Sequence, residues 1–384
     1  TYREAAMRYY KYISQRNGDN SAYPVGMSYL MWTPGRTPGI SRTGTNVAPW
    51  YSDDDYYGSD SEIITIIAGD SIRSEGNYSE LRNLFYSRYD NDYHVSIVPS
   101  NAMFELSESQ VNCCLETNGT SFSYAPQDLT EHMAGDLRLS YYYSWGYGTN
   151  TLTGERFDVS YIDKQSFQNI HIYRRSMLYL RLAEALNGAG FPRAAFSILS
   201  TGLNNEIYRE DVYPYCSQSD SLWVSQLDFP ESRYGIITAQ YITSTTGDTS
   251  GVYNTMGIHS HGSGWTPYNE YYRLPEAEPI PVLDENGEPI DGMFLLQKDT
   301  PELIQRQKEV VDSLLLNEDG LELAYEGTRF YDIMRFALRQ PNPELFLAEK
   351  VAARRGKNNI DEGLKSRLMN RQNWYLKWNG QIGF

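Results

Sequence analysis

Cysteine is scarce in this 384-residue chain, with only Cys113, Cys114 and Cys216, too few and too poorly spaced for a zinc site or a disulfide framework. Long apolar runs are missing too: the longest, "IITIIA" at 63–68, falls far short of the roughly 18 residues a membrane-spanning helix needs. Basic charge is in deficit, with 33 Lys and Arg against 49 Asp and Glu for a net charge of −16. That balance argues against a nucleic-acid backbone or an anionic membrane surface as the main partner and suits a neutral or cationic ligand. There is no Gly-x-Ser-x-Gly elbow, no cysteine in a thiol-protease context, no phosphate-binding loop and no dinucleotide fingerprint.

Aromatic residues, in contrast, are abundant: 33 Tyr, 7 Trp and 13 Phe make up 14% of the chain. Many lie in turn-rich segments, at Trp50–Tyr51, at Tyr143, Trp145 and Tyr147, and at Trp265 and Tyr268, beside Gly, Ser, Thr or Asn. A ring offers much contact area at little entropic cost. Sugar rings present apolar C–H faces that stack on aromatic planes, so Trp50, Tyr51, Trp145, Tyr147, Trp265 and Tyr268 are the candidate ligand-binding residues. The competing reading is that many of these rings simply seal loops onto a helical core.

Other candidates are weaker. "DDDYYGSDSE" at 53–62 offers Asp53, Asp55 and Asp60 to a calcium ion, but Tyr57 and Ile64 stand where an EF-hand needs oxygen ligands. "GIHSHGSG" at 257–264 sets His259 and His261 beside glycines with no third ligand at a metal spacing, and reads as a binding or structural loop. Paired carboxylates for glycoside hydrolysis remain an alternative, since the acids offer many pairs and the sequence no separations.

Helical periodicity is concentrated in a few segments. "TYREAAMRYYKYISQR" at 1–16 is periodic from its first residues with no clear capping signal, which suggests a helix entered from an upstream segment. "SMLYLRLAEALNGAGFPRAAFSILSTGLNNEI" from 176 reads as two amphipathic helices turning at Gly188–Pro192, with Leu178, Leu182 and Ala185 on one face of the first. Such a hairpin resembles a tetratricopeptide unit, which buries a face only when stacked on further pairs. "PELIQRQKEVVDSLLLNEDGLELAYEGTRFYDIMRFAL", 301–338, is the strongest helical signal, hinged near Asn317–Gly320. Between these, residues 18–165 and 210–298 are loop-rich, with "EIITIIAGD" as a helix or a short strand and "YSELRNLFYSR" at 78–88 as a helix. An irregular tail, 340–384, follows; from 349 it carries eight Lys and Arg against three acids.

The strongest segment poses a question of its own. Glu322, Glu326, Arg329, Asp332 and Arg335 sit among Leu323, Tyr325, Phe330, Ile333, Met334 and Phe336. At 100° per residue Glu322, Glu326 and Arg329 fall within about 60° of one another, so the charges can pair along the helix. With so much apolar surface around them they survive burial only as a structural ion-pair lattice.

The stretch "LELAYEGTRFYDIMR", 321–335, resembles the signature helix of the SusD/RagB family, surface lipoproteins of Bacteroidetes. That helix reads roughly E-x-x-x-E-G-x-R-[WF]-x-D-[LI]-x-R. Glu322, Glu326, Gly327, Arg329, Phe330, Asp332, Ile333 and Arg335 match it in order. "YLRLAEALNGAG" with the helix after it, and "YREAAMRYYKYI", resemble the family's repeat helices.

The resemblance implies a mostly α fold: tetratricopeptide-like repeats (1–17 and 166–209) and signature helices (299–339) supporting a loop-rich, aromatic-rich half (18–165 and 210–298) with few short strands. It implies one SusD-like domain lacking its N-terminal part, including the lipidated cysteine that would anchor it at the outer-membrane surface. It further implies a protein without catalysis or cofactor, which captures glycans, as in starch utilisation, or peptides, and caps a SusC-like TonB-dependent transporter. The signature charges would then be scaffold, and the binding residues would lie in the loops.

Overall fold

The computed structural model describes residues 1–15, 63–69, 84–85, 87–89, 92–94, 97–110, 112–115, 122–125, 136, 138, 143–149, 152–162, 170–229, 239–242, 252–255, 257–259 and 272–375. Its centre is helix α3 (Arg175–Gly188), following α1 (Tyr2–Ser14) and α2 (Asn101–Glu108) in chain order. From Ser176 to Asn187 every residue of α3 except Arg181 is buried, so apolar side chains meet neighbours all round the axis instead of along one stripe. The expected face of Leu178, Leu182 and Ala185 is therefore only part of its contact surface. Each buried Leu here contributes about 1.5–3 kcal/mol.

Four residues after the end of α3, Pro192 occupies the first turn of α4 (Pro192–Ser200), where its missing N–H costs nothing. The result is a helical hairpin. Against it pack α1, through Ala6 and Ile13, and the 22-residue α6 (Pro301–Glu322); between lies the short α5 (Gln218–Val224). Thr300 caps α6 by accepting from the Leu303 N–H, with Pro301 in the first turn. The described residues are mainly helical.

Helix α1 spans Tyr2–Ser14, with the Glu4 N–H donating to the Thr1 hydroxyl. Several expectations need correction. The break in the C-terminal helical segment lies at 323–328, not near Asn317–Gly320. Helix α6 runs through Gly320 to Glu322, and the chain turns where Tyr325 takes φ 66° and Gly327 φ 79°, left-handed values that no helix continues through. Helix α7 (Arg329–Ala337) then starts afresh.

The tail as far as residue 375 is largely helical, not irregular: α8 (Pro343–Ala352) is capped by Asn342, and α9 (Glu362–Leu368) by Asp361. Buried Trp374 then locks the end by donating from Nε1 to the Leu368 carbonyl at 2.7 Å. Part of the tail's basic charge is paired locally, Arg354 with Asp361, Lys365 with Glu349 and Arg371 with Glu344.

The strands among the described residues form six antiparallel pairs. Ile63–Ile67 (β1), the stretch open to either reading, is a strand paired with Ile170–Arg174 (β8), as its β-branched run favours. Of the expected helix at 78–88, residues 84–85 are helical, but Ser87–Tyr89 (β2) pairs with Asp92–His94 (β3). Asn112–Leu115 (β4) pairs with Phe122–Ala125 (β5), and Tyr143–Thr149 (β6) with Arg156–Ile162 (β7). Ala239–Ile242 (β9) pairs with Val252–Thr255 (β10), and Ile280–Leu283 (β11) with Pro289–Leu295 (β12). Helix α2 was not expected; Ser100 caps it, and Glu105 accepts from the Lys357 N–H at 2.9 Å, tying it to the C-terminal segment.

A backbone contact carries residues 257–259 of the loop-rich part onto the helical part. The N–H groups of Gly257, Ile258 and His259 donate to the carbonyls of Ser200, Ile198 and Leu199, taking up the open C-terminal end of α4. A Cβ on Gly257 would lie 2.1 Å from the Leu199 carbonyl carbon. Gly257→Ala should therefore destabilise the fold by about 1–3 kcal/mol, read as a lower urea midpoint; an unchanged midpoint would contradict this seating.

Candidate functional site

Helix α6 delivers carboxylates in two directions. Glu318 and Glu322, one turn apart, share a face, and Asp319 is about 100° round the axis. On the first side Arg138, fully buried, grips Asp136 with Nε and Nη2 at 2.9 and 2.7 Å, and gives Nη1 to Glu322 at 2.8 Å and to Glu318. Arg174, the last residue of β8, gives Nη1 to Glu322 Oε1 at 2.9 Å and Nη2 to the Glu322 carbonyl at 2.7 Å, and two further bonds of 2.9–3.0 Å to Glu326. His259 Nδ1 lies 2.9 Å from Glu318 Oε2, with its ring stacked on Tyr272 at 3.9 Å between centroids.

The second side faces α3. Arg181 reaches Asp319 at 3.1 Å and Asp332 at 2.7 Å; Arg335 reaches Asp332 at 2.8 Å and Glu184 at 3.1 Å. Arg339 adds contacts to Glu184 at 3.4 Å and Asp312 at 3.3 Å. Six stretches of the chain, at 136–138, 174–184, 259, 272, 312–326 and 332–339, thus meet around the end of one helix.

Burial sets the electrostatics. Desolvation alone would raise the Glu318 carboxyl, but Arg138 and His259 outweigh it and hold it at about 2. Asp319 goes the other way: burial raises it, Arg181 opposes, and Asp332 and Glu184 add their repulsion. Burial lowers Arg329, which donates Nη1 to the Leu316 carbonyl at 2.5 Å.

This geometry alters the expected pairing. Glu322 and Glu326 do not pair with Arg329 along the helix. They bind Arg138 and Arg174 from outside it, because Arg329 lies beyond the turn at 323–328 and is aimed at a backbone carbonyl. Asp332 with Arg335 is the within-helix pair, three residues apart. His259 is part of the buried network, so of the two readings of its loop the structural one holds for that residue.

Glu318, Asp319, Glu322 and Asp332 have next to no solvent contact and are engaged by guanidinium groups, which leaves these four carboxylates out of reach of a substrate. Among the described residues no group of three or more His, Cys, Asp and Glu could hold a metal, and no helix is long and apolar enough to cross a membrane. Burial pushes the Cys216 thiol up to about 11, so little of the thiolate nucleophile forms near neutral pH.

The ligand candidates stand apart. Trp50, Tyr51, Trp265 and Tyr268, and the calcium candidates Asp53, Asp55 and Asp60, lie outside the described residues. Trp145 and Tyr147 are described in their backbone: they lie in β6, opposite Ser160 and Asp158 of β7. With a period of two, positions 143, 145 and 147 fall on one face of that ribbon, and directly opposed positions share the face. Comparison with protein-family models, curated proteins and solved structures gives no match to this chain.

The residues that sequence reasoning missed are the partners: Arg138, Arg174, Arg181, Glu184, Glu318 and Asp319. Arg181 and Glu184, three apart, and Glu318 and Glu322, four apart, carried a readable helical spacing. Arg138 carried no such signal.

Arg138→Ala should destabilise by about 3–5 kcal/mol, since it leaves Asp136 and Glu318 buried without their cation. Arg329→Ala, which removes a bond to a carbonyl, should cost about 1–3 kcal/mol. Equal losses in chemical denaturation would contradict the assignment. For pH, Glu318 is depressed from 4.5 to about 2, so its contribution is present above pH 4.5 and lost as pH falls through about 2. It amounts to at most about 3 kcal/mol. Glu318→Gln should flatten the acid limb of the stability curve over that window, and an unchanged limb would remove Glu318 as its source.

Proposed function

We propose that the chain is a SusD-like nutrient-binding protein of the outer-membrane surface, which captures an oligosaccharide by aromatic stacking and delivers it to a SusC-like TonB-dependent transporter. In this reading it is lipid-anchored and not an enzyme, and the α3–α4 hairpin is a tetratricopeptide-like unit. The observation that carries the reading is the signature at 321–335: its Glu322, Glu326, Asp332 and Arg335 engage Arg138, Arg174, Arg181 and Glu184 in a buried network. Such a use of charge suits a motif kept for scaffold, with binding left to the loops.

The β6–β7 ribbon supports the ligand class. Backbone register puts positions 143, 145 and 147 on one face with 158, 160 and 162, which sets three aromatic residues along one side of the ribbon, Tyr143 at its inner end opposite buried Ile162. A second reading, capture of cationic peptides on the same scaffold, is favoured by the net charge of −16.

The test is intrinsic Trp fluorescence of the purified chain against a glycan panel and a tryptic peptide pool at low and high salt, with product analysis after long incubation. Glycan capture predicts weak binding, Kd from about micromolar to millimolar, nearly independent of salt and without cleavage. Trp145→Ala and Trp265→Ala should each weaken binding about three- to tenfold without unfolding the protein. Binding confined to the peptide pool and weakened by salt would replace the glycan reading with the peptide one, and glycan turnover would replace both with a hydrolase.

A further inference from the structure

The β11–β12 hairpin stands away from the helical core. Ile280, Leu283, Met293, Phe294, Leu295 and Leu296 are 47–67% exposed, and they lie on both faces of the ribbon, since Ile280 opposes Leu295 while its neighbour Pro281 opposes Phe294. Both legs are held. The Arg193 guanidinium, stacked over Tyr215 at 3.7 Å, bonds Glu276 before β11 at 2.6 Å and Asp299 after β12 at 2.5 Å. Gln297 Nε2 donates to the Glu278 carbonyl at 2.7 Å across the base. An apolar outgrowth rooted this firmly is costly to leave in water and is a marker of a contact surface.

Charge and proline narrow the occupant. Residues 274–297 contain Glu276, Glu278, Asp284, Glu285, Glu288 and Asp291 and no Lys or Arg. A second copy would bring the same acids against this hairpin, and an anionic membrane would repel it. A convex ribbon cannot enclose a small ligand. Pro281 has no N–H to offer from β11, whereas β12 carries no proline after Pro289, and among the described residues no further strand pairs with it.

We propose that the β12 edge is a docking strand for a partner protein. An extended segment of that partner, with apolar residues alternating with Lys or Arg, adds along it as a third strand. Main-chain hydrogen bonds supply the register, the Met293–Leu296 side chains the apolar contact and the hairpin acids the charge preference. This inference is independent of which nutrient the loops hold.

The experiment is fluorescence anisotropy of the full chain with a labelled octapeptide alternating Val and Lys. The controls are its Val and Glu counterpart and a version N-methylated on alternate residues. The basic peptide should bind about tenfold or more tightly than either control, and Phe294→Asp with Leu296→Asp should weaken it about tenfold. Non-specific attraction would instead strengthen, since that variant is more acidic. Leu152→Asp, at a site 95% exposed elsewhere, should change nothing. Equal binding of the three peptides, or binding indifferent to the hairpin variant, would overturn the proposal. So would a dimer in sedimentation velocity that the variant abolishes, which would assign the strand to a second copy.

Discussion

Glu322 is the point on which the rest of the structure turns. A carboxylate with no solvent contact is affordable only with full compensation. It has Arg138 at one oxygen and Arg174 at the other, with a second Arg174 nitrogen on its own backbone carbonyl. Arg138 comes from the loop-rich part and Arg174 from the strand that leads into the central helix, so satisfying this one charge fixes both segments relative to α6.

The same logic repeats along α6. Glu318 holds Arg138 and, through His259, the 257–259 segment, whose backbone also closes the end of α4. Asp319, turned towards α3, holds Arg181, and Asp332 across the turn shares that guanidinium. Removing either member of such a set exposes its partners to a low-dielectric interior, so these contacts specify one arrangement more than they add net stability. The turn at 323–328 is therefore functional in the structural sense: it redirects α7 so that Asp332 and Arg335 face α3, while Glu326 faces Arg174.

The helices were legible where periodicity was strong. The hairpin at 176–200, the long helix from 301 and the helix near the N-terminus coincide with the segments richest in apolar residues at helical spacing, with Pro in the first turn of α4 and of α6. Short elements were not legible. Helix α2 is eight residues long, and the tail helices α8 and α9 are short, their starts marked only by the caps Asn342 and Asp361. Gly320 carries the sequence signal of a hinge, but the left-handed turn belongs to Tyr325 and Gly327.

For the lattice, the sequence by itself determined that charges among so many apolar neighbours must be paired, because burial of an isolated ion is prohibitive. Helical spacing then put Glu322 near Glu326 and Arg329, and it could say no more. Which cations answer which carboxylates was decided by tertiary structure alone: Arg138 lies 184 residues from Glu322, and Arg174 lies 148 residues away. Pairing at that separation depends on how the helices pack and where the loops land, and no local pattern encodes it. Sequence spacing likewise made the aromatics visible as a composition, while the strand register of β6 and β7 set positions 143, 145 and 147 beside 158 and 160 on one face, because a strand alternates its sides with a period of two.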